Sequence, residues 1–532
     1  MLKDGKIWVA NTEKGENVSL LPKMANRHGL VAGATGTGKT VTLKVLAESF
    51  SAMGVPVFMA DVKGDISGMM CPGTDSPDMQ KRIQKFGCDK AGFTYSGCPV
   101  TIWDIFGETG IPLRTTVSEI GPMLLARILG LNPLQSDILS IVFKIADDNK
   151  LLLIDTKDLK AMLKYVSDHR ADFEGDYGKM STQSLAAITR AVVALELAGG
   201  EQFLGEPALS ITDWLTQDNG KGMINILDSR KLIQNGTMYS TFLLWMISEL
   251  FETLPEVGDM PKPKMVFFFD EAHLLFDNAS KALLDKIEQV VKLIRSKGVG
   301  IYFCTQNPAD IPDGVLAQLG NKIQHGLRAY TPADQKAVRA AADSFRRNPD
   351  FDTEKTILAL GTGKAVVSFL GEDGVPGIAQ SVSILPPQCS MAAAPDTLRD
   401  QAVKGSLMYS KYATYFDRDS AYEVLNRKGQ EEEAAQAQAE ADAQRAKEEE
   451  AAAKQAAKEE EKRLKEEARE AEREQRAKNR AIKSVGNSIL GTVGRQVGRE
   501  VGGKALGSFG RTLGGNVGAS IVRGIFGTFF KG

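Results

Sequence analysis

Short apolar runs alternate with amphipathic stretches along much of this chain. Continuous apolar runs occur at 55–60, 265–269 and 300–304, and a further short strand candidate lies at 28–32. Runs of this kind are typical of strands buried on both faces of a parallel sheet. The pattern therefore predicts an α/β core.

A second pattern divides this core. The residues from 115 to about 220 carry Leu, Ala, Lys and Asp at helical spacing, which predicts a mainly helical insertion. The predicted segments are, in order, a short N-terminal segment at 1–22, the first part of the core at 23–114, the insertion at 115–220, the second part of the core at 221–390, a C-terminal extension at 391–429, a charged helix at 430–482 and a Gly-rich tail at 483–532.

The charged segment 430–482 consists almost entirely of Ala, Glu, Lys, Arg and Gln. These residues favour helix, and Glu and Lys or Arg recur four positions apart. Between 430 and 480 Leu464 is the only large apolar residue, whereas a coiled coil needs apolar residues at every a and d position. We therefore expect a solvated single helix rather than a strong coiled coil.

The tail 483–532 combines many glycines with seven Lys or Arg residues and a single acid, Glu500. Apolar residues recur every fourth position, beside glycines with the same spacing. Glycine weakens helices, which favours a flexible tail. The same spacing permits close helix packing or attachment to a membrane surface. Both interpretations stay open.

Composition places few limits on function. The chain has 532 residues and a net charge of −2, so a nucleic-acid site would have to be a local basic patch. Its five cysteines are scattered without metal-binding spacing, as in proteins of a reducing cytosol. No signal peptide and no apolar stretch of about 18 residues is evident. We expect a cytoplasmic protein, with membrane association possible only through the tail.

The strongest chemical signal follows the first predicted strand. Residues 33–40 satisfy the phosphate-loop pattern G-x-x-x-x-G-K-[ST] and lead into a predicted helix at 41–50. Backbone N–H groups of such a loop surround phosphates, the lysine pairs with the β- and γ-phosphates, and the final hydroxyl binds Mg²⁺. The predicted ATP-binding residues are Gly33, Ala34, Thr35, Gly36, Thr37, Gly38, Lys39 and Thr40.

Two acids follow the apolar run 265–269. We expect Asp270 to bind Mg²⁺ together with Thr40, and Glu271 to polarise the attacking water. A protein that only binds nucleotide needs only the first acid, so Glu271 favours hydrolysis. The alternative is that Glu271 merely caps the next helix.

Two further polar residues follow predicted strands. Gln306 comes just after the strand at 300–304, and it is our candidate for contact with the γ-phosphate or the attacking water. The alternative role is an amide that caps the turn before Pro308. Asp61 ends the run 55–60, where it would serve either as a further acid of the site or as a cap.

Several segments together resemble the HerA/FtsK branch of RecA-like motor ATPases, and most of all the HerA-like helicase family of the YjgR type. The resemblance covers about residues 20–390. It is carried by the phosphate loop and by the segments 24–29, 59–65, 103–107, 267–276, 294–300 and 305–312.

This resemblance implies a hexameric ring with ATP sites between subunits, in which an arginine of one subunit reaches the γ-phosphate of its neighbour. Arg295 matches the position of the family's arginine, Arg27 is a second candidate and Arg328 a weaker one. The implied activity is ATP-driven helicase or translocase action on double-stranded DNA. HerA itself carries an N-terminal β-barrel that docks a nuclease, whereas only 28 residues precede Gly29 here, so the resemblance leaves a nuclease partner unassigned.

Two other functions stay open. The same ATPase branch includes engines of membrane-associated secretion or conjugation, which move protein or nucleoprotein, and the Gly-rich tail would suit such a role. A regulatory NTPase without translocation is the third possibility, although Glu271 and Arg295 count against it.

Overall fold

The computed structural model describes residues 1–276 and 281–485. The chain divides into two compact units, Met1–Glu431 and Glu432–Gly532. The Gly-rich tail is predicted at 483–532, and its residues from 486 onward lie outside the described part of the chain.

The strands of the first unit fall into one large sheet and one small hairpin. Their bounds are β1 (Leu2–Lys3), β2 (Lys6–Thr12), β3 (Asn17–Leu20), β4 (Gly29–Ala32), β5 (Val57–Asp61), β6 (Val100–Asp104), β7 (Ile111–Pro112), β8 (Gln217–Asp218), β9 (Lys221–Gly222), β10 (Ile224–Asp228), β11 (Met265–Phe269), β12 (Val299–Thr305), β13 (Asn321–His325), β14 (Lys364–Ser368) and β15 (Gln380–Ile384).

The large sheet contains thirteen of the described strands, in the order β1-β2-β15-β14-β13-β4-β12-β11-β5-β10-β6-β7, with β3 paired to β2. From β13 to β7 all neighbouring strands are parallel. From β13 to β1 they are antiparallel. The strand β12 lies between β4 and β11, and this places the ends of the three strands side by side.

Helices cover both faces of the sheet. Their bounds are α1 (Lys39–Ala52), α2 (Pro77–Phe86), α3 (Val117–Ile128), α4 (Pro133–Asp148), α5 (Thr156–Asp168), α6 (Arg170–Tyr177), α7 (Thr182–Leu195), α8 (Glu201–Phe203), α9 (Gly236–Thr253), α10 (His273–Phe276), α11 (Lys281–Leu293), α12 (Asp313–Leu316), α13 (Pro332–Asp343), α14 (Thr353–Ala359), α15 (Asp396–Gly405), α16 (Leu407–Tyr412) and α17 (Ala421–Val485).

Alternate residues of the central strands enter two separate hydrophobic cores. In β11, Phe267 and Phe269 pack into the core that contains the insertion helices, whereas Val266 and Phe268 face the core that contains α1. All five β11 residues are buried. A strand covered on both faces needs apolar residues at every position, which explains the continuous run in the sequence. The prediction of an α/β fold is confirmed.

The segment boundaries differ from the predicted ones at two places. Residues 1–22 are not a separate segment, since β2 pairs with β15 and so joins the edge of the large sheet. The charged helix begins at Ala421 rather than at 430, because Ala421 and Leu425 are buried and extend the apolar part of α17.

The second unit is helical over its described residues. Its side chains are exposed from 432 to 478. Ion pairs four residues apart include Glu450–Lys454, Glu461–Lys465 and Glu472–Arg476. None of the helices in residues 1–276 and 281–485 is long and apolar enough to cross a bilayer.

Candidate functional site

The phosphate loop connects the buried strand β4 to the helix α1. Gly33 and Gly38 have φ angles of 153° and 109°, in a region that side chains disfavour. A Cβ atom on Gly33 would lie 2.5 Å from the Cβ atom of His325. Glycine is therefore required at Gly33 both by its conformation and by the close approach of β13.

Lys39 opens α1 and is buried. Its Nζ atom donates hydrogen bonds to the carbonyl oxygens of Gly33, at 2.6 Å, and Ala34, at 3.1 Å. The ammonium group thus lies across the loop, beside the N–H groups that open the helix. Backbone donors, a helix N-terminus and a lysine together form a site for a phosphate group.

Asp270 follows β11 directly and is buried. Its Oδ1 accepts a hydrogen bond from the Glu271 N–H at 3.0 Å. Its Oδ2 makes no hydrogen bond to a nitrogen or oxygen of the described residues. Burial raises the pKa of Asp270, while the charge of Lys63 and a contact with the Cys304 thiol act in the opposite direction. A buried carboxylate oxygen without a nitrogen or oxygen partner fits a cation, because a counter-charge would offset its desolvation.

Glu271 has a φ angle of +49°, which is uncommon for a residue with a side chain. Its Oε1 accepts a hydrogen bond of 2.6 Å from the Lys63 ammonium. Burial alone would raise the pKa of Glu271, but the hydrogen bond and charge of Lys63 outweigh it and hold the pKa below its usual value. Glu271 is therefore a strained, ionised residue with a fixed partner.

Gln306 connects the acids to the phosphate loop. Its side-chain amide donates to Glu271 Oε2 at 3.3 Å, and its carbonyl oxygen accepts from the Thr35 hydroxyl at 3.3 Å. This contact is possible because β12 lies between β4 and β11. Residues from three strand ends that are far apart in the sequence thus form one network.

The predicted trans-acting arginines lie elsewhere. Arg27 precedes β4 and Arg295 precedes β12, so both lie at the amino end of the parallel strands. At about 3.3 Å per residue, β12 separates Arg295 from Gln306 by roughly 20 Å. Arg295 is exposed and makes no ion pair among the described residues, and Arg27 lies 3.6 Å from Asp259. Arg328, at the carboxyl end of β13, is on the same edge of the sheet as the phosphate loop.

Asp61 caps the loop after β5. Its two oxygens accept from the backbone N–H groups of Gly64, at 2.7 Å, and Ser67, at 3.3 Å. Burial raises its pKa to about 6, despite these hydrogen bonds. Of the two roles considered for Asp61, its hydrogen bonds fit the cap.

Sequence reasoning missed the roles of two residues. Lys63 belongs to the segment 59–65 that carries the resemblance, but no pattern in the sequence assigns a role to Lys63 or to His325. The His325 ring joins Thr42 of α1, at 2.8 Å, to the Lys364 carbonyl oxygen, at 2.9 Å. Polar residues at or just after the ends of several strands, among them β5, β10, β11 and β13, were the available signal, but the sequence does not show which strands are neighbours.

A family model described as helicase HerA-like C-terminal matches residues 6–514 of this chain. The chain belongs to this family. The predicted HerA-type relationship is thereby confirmed, and the match extends beyond the 20–390 stretch that carried the resemblance.

Two curated relatives illustrate the range of similarity within the family. A probable helicase, MJECL08, of Methanocaldococcus jannaschii is 30% identical over 154 residues, which are 27% of this chain and 28% of that protein. The DNA double-strand break repair helicase HerA of Saccharolobus solfataricus is 19% identical over 376 residues, 69% of this chain and 66% of that protein. The chain thus spans little more than a quarter of the first relative.

The chain is also similar to a solved structure of the bacterial conjugative coupling protein TrwB. The TM-score is 0.47 and the sequence identity 17%, with 74% of this chain and 92% of the other covered.

Proposed function

We propose that this HerA-family chain is an ATP-hydrolysing helicase or translocase that works as a hexameric ring on double-stranded DNA. One observation carries the ATPase part of this proposal. The phosphate loop, the unsatisfied oxygen of Asp270 and the linked pair Glu271 and Gln306 meet at one edge of three neighbouring parallel strands.

The residues of this edge divide the work of hydrolysis. Lys39 and the loop N–H groups bind the phosphates of ATP, and Glu271 polarises the attacking water while Gln306 orients it. Thr40 and Asp270 hold Mg²⁺, which is commonly bound by one or two protein oxygens plus substrate phosphates. When bound, Mg²⁺ neutralises charge that develops on the transferred phosphoryl group.

The arginines support assembly of subunits. Neither Arg27 nor Arg295 is near the phosphate loop of its own chain, because both lie at the opposite end of the strands. Either of these two arginines could stabilise charge at a γ-phosphate only in the site of a second copy. We propose Arg295 for this role, with Arg27 as the alternative, since Arg295 is exposed and unpaired among the described residues.

The polymer is proposed from the relatives, since one of them is named as a DNA repair helicase. The net charge of −2 provides no general attraction for nucleic acid. The decisive test is the Mg²⁺-dependent ATPase rate of the full chain with duplex DNA, single-stranded DNA, RNA or no polymer, at low salt. We expect stimulation by duplex DNA that falls steeply as salt rises, because phosphate contacts release counterions.

A matched variant separates ATP hydrolysis from DNA binding. Glu271→Gln should bind ATP, abolish turnover and stabilise a hexamer, detected by its mass with and without ATP. Unchanged turnover in this variant would refute the role of Glu271. A rate indifferent to every polymer would leave an ATPase but refute the translocase. Loss of liposome binding on truncation after residue 428 would instead favour the membrane-associated secretion or conjugation role.

A further inference from the structure

Lys63 has no role in the proposed hydrolysis, yet its side chain contacts one of the residues that carry it out. It follows β5 at the same edge of the sheet as Asp270, and its ammonium lies 2.6 Å from Glu271 Oε1. The Glu271 side chain is only 7% exposed, and that of Lys63 is 44% exposed. The pair therefore joins a buried acid to a cation that can reach solvent.

This ion pair conflicts with the role proposed for Glu271. A carboxylate oxygen that accepts a short hydrogen bond from an ammonium is a weaker acceptor for a water proton. The other oxygen is also engaged, by Gln306 at 3.3 Å. Both oxygens of Glu271 thus have partners in this structure, and the one held by Lys63 must be released before it can polarise water.

The surroundings of Lys63 indicate what could release it. The loop that carries Lys63 follows β5, which pairs with β11, so Lys63 lies beside the two acids that follow β11. The terminal phosphate of ATP is expected next to these acids. The Glu271 carboxylate and an incoming phosphate would compete for the Lys63 ammonium, because both anions accept charge-assisted hydrogen bonds from it. ADP lacks the terminal phosphate and would leave the pair with Glu271 intact.

From this arrangement we propose that Lys63 is a γ-phosphate-sensing latch. In the absence of the γ-phosphate Lys63 holds Glu271, and on ATP binding it transfers to the γ-phosphate and frees Glu271 for water. Lys63 is in this sense a positioning residue, since it acts on water only through Glu271. The inference rests on the proposed ATPase function and adds to it a device that distinguishes ATP from ADP.

The latch predicts a thermodynamic coupling that can be measured without turnover. The readout is the ratio of the Kd for ADP to the Kd for a non-hydrolysable ATP analogue, measured with Mg²⁺ on the full chain. Glu271→Gln should raise this ratio because it frees Lys63 for the phosphate. Part of any gain would come simply from removing a negative charge near the phosphate, and a double-mutant cycle isolates the remainder.

The cycle uses the wild type, Lys63→Met, Glu271→Gln and the double variant. We expect the gain caused by Glu271→Gln to be about tenfold larger when Lys63 is present than when Lys63→Met is also made. Lys63→Arg should retain most of the coupling. Equal gains in both backgrounds, within twofold, would overturn the latch.

Lys160→Met is a matched control. Lys160 pairs with Glu196 at 2.6 Å, with side chains 35% and 10% exposed, but both lie in the helical insertion. This variant should leave the nucleotide ratio unchanged. If Lys160→Met alters the ratio as Lys63→Met does, the effect is not specific to the site and the latch is refuted.

Failure of the latch is distinguishable from failure of the ATPase proposal. If Glu271→Gln blocks turnover but the cycle shows equal gains, only the latch is wrong. If Glu271→Gln turns over ATP at the wild-type rate, the proposed function of the site is wrong, and the latch falls with it.

Discussion

Two buried acids at the same edge of the sheet have opposite surroundings. Asp270 directly follows β11 and Asp228 ends β10, with only β5 between these strands. Oδ2 of Asp270 has no nitrogen or oxygen partner among the described residues. Oδ2 of Asp228 accepts hydrogen bonds from Arg230, from Arg399 at 2.9 Å and from Thr109 at 2.7 Å.

The difference is also visible in the charge state. Burial raises the pKa of Asp270. For Asp228 burial acts in the same direction, but hydrogen bonds from Arg230 and Thr109 outweigh it and lower the pKa to about 2. Asp228 links β10 to α15 of the C-terminal extension, because Arg399 of α15 donates to it. An unsatisfied acid at the same kind of strand end is available to a ligand.

The largest expected effect is that of Asp270→Asn, which removes the charge of the acid that keeps an oxygen free. We expect the ATPase rate to fall at least about 10³-fold, which corresponds to about 4 kcal/mol in the activation barrier. The thermal unfolding midpoint should stay unchanged or rise, because the substitution removes a buried charge whose Oδ2 has no nitrogen or oxygen partner among the described residues. A variant with normal turnover would show that the unsatisfied oxygen has no part in hydrolysis.

Asp228→Asn should lower the stability of the fold rather than the ATPase rate. Loss of this charge leaves the buried Arg399 without its main partner, and breaking such a pair costs about 3 kcal/mol of unfolding free energy. Turnover per folded molecule should be retained. The control is Asp419→Asn, which breaks an exposed pair with Arg427 of 2.8 Å and should change stability by less than about 1 kcal/mol. Equal destabilisation by both variants would contradict the assignment.

Mild acid should lower the stability that His325 provides while leaving Asp228 ionised. Burial lowers the pKa of His325 beside the phosphate loop to about 4. The unfolded chain takes up this proton at about pH 6.5, so the stability that neutral His325 provides is complete above that pH and declines as the pH falls toward 4. Asp228, with a pKa of about 2, stays ionised over the same range.

Between pH 7 and pH 5 the His325 contribution should decrease by about 2 kcal/mol. Urea unfolding of the wild type and of His325→Gln at both pH values isolates the His325 contribution, because the two proteins share every other titratable group. The variant should lose correspondingly less stability on acidification. An identical pH dependence of the two proteins would show that His325 does not resist protonation.

The smallest expected effect concerns the strain at Glu271. Its left-handed backbone conformation favours glycine, so Glu271→Gly should be about 1 kcal/mol more stable than Glu271→Ala. Both variants lack the carboxylate and should lack turnover, which makes them a matched pair. Thermal unfolding midpoints measure the difference. A more stable Glu271→Ala would indicate that the strain is relieved by the surrounding loop.

Local sequence was sufficient where one short segment contains all the determinants. The phosphate loop is eight consecutive residues between a strand and a helix, and both elements form where the apolar pattern predicted them. The run 265–269 coincides with β11, and the acids that follow it lie at the edge of the sheet beside that loop.

Long-range pairing explains what the sequence did not predict. Lys63 and Glu271 are 208 positions apart, and their contact depends on β5 pairing with β11. Residues 1–22 looked like a separate segment because their pairing with β15 involves residues at the far end of the first unit. Neither pairing has a local signature, because any apolar strand can pair with several others.

The sequence by itself determined the family, the α/β core, the phosphate loop and the two acids after β11, because each is recognised from short segments whose pairing in space need not be known. Only the tertiary structure decided which strand-end acid keeps an oxygen free and which is saturated by arginines. It also decided that Lys63 holds Glu271. These outcomes depend on the order of strands in the sheet, which brings together side chains that chain distance keeps apart.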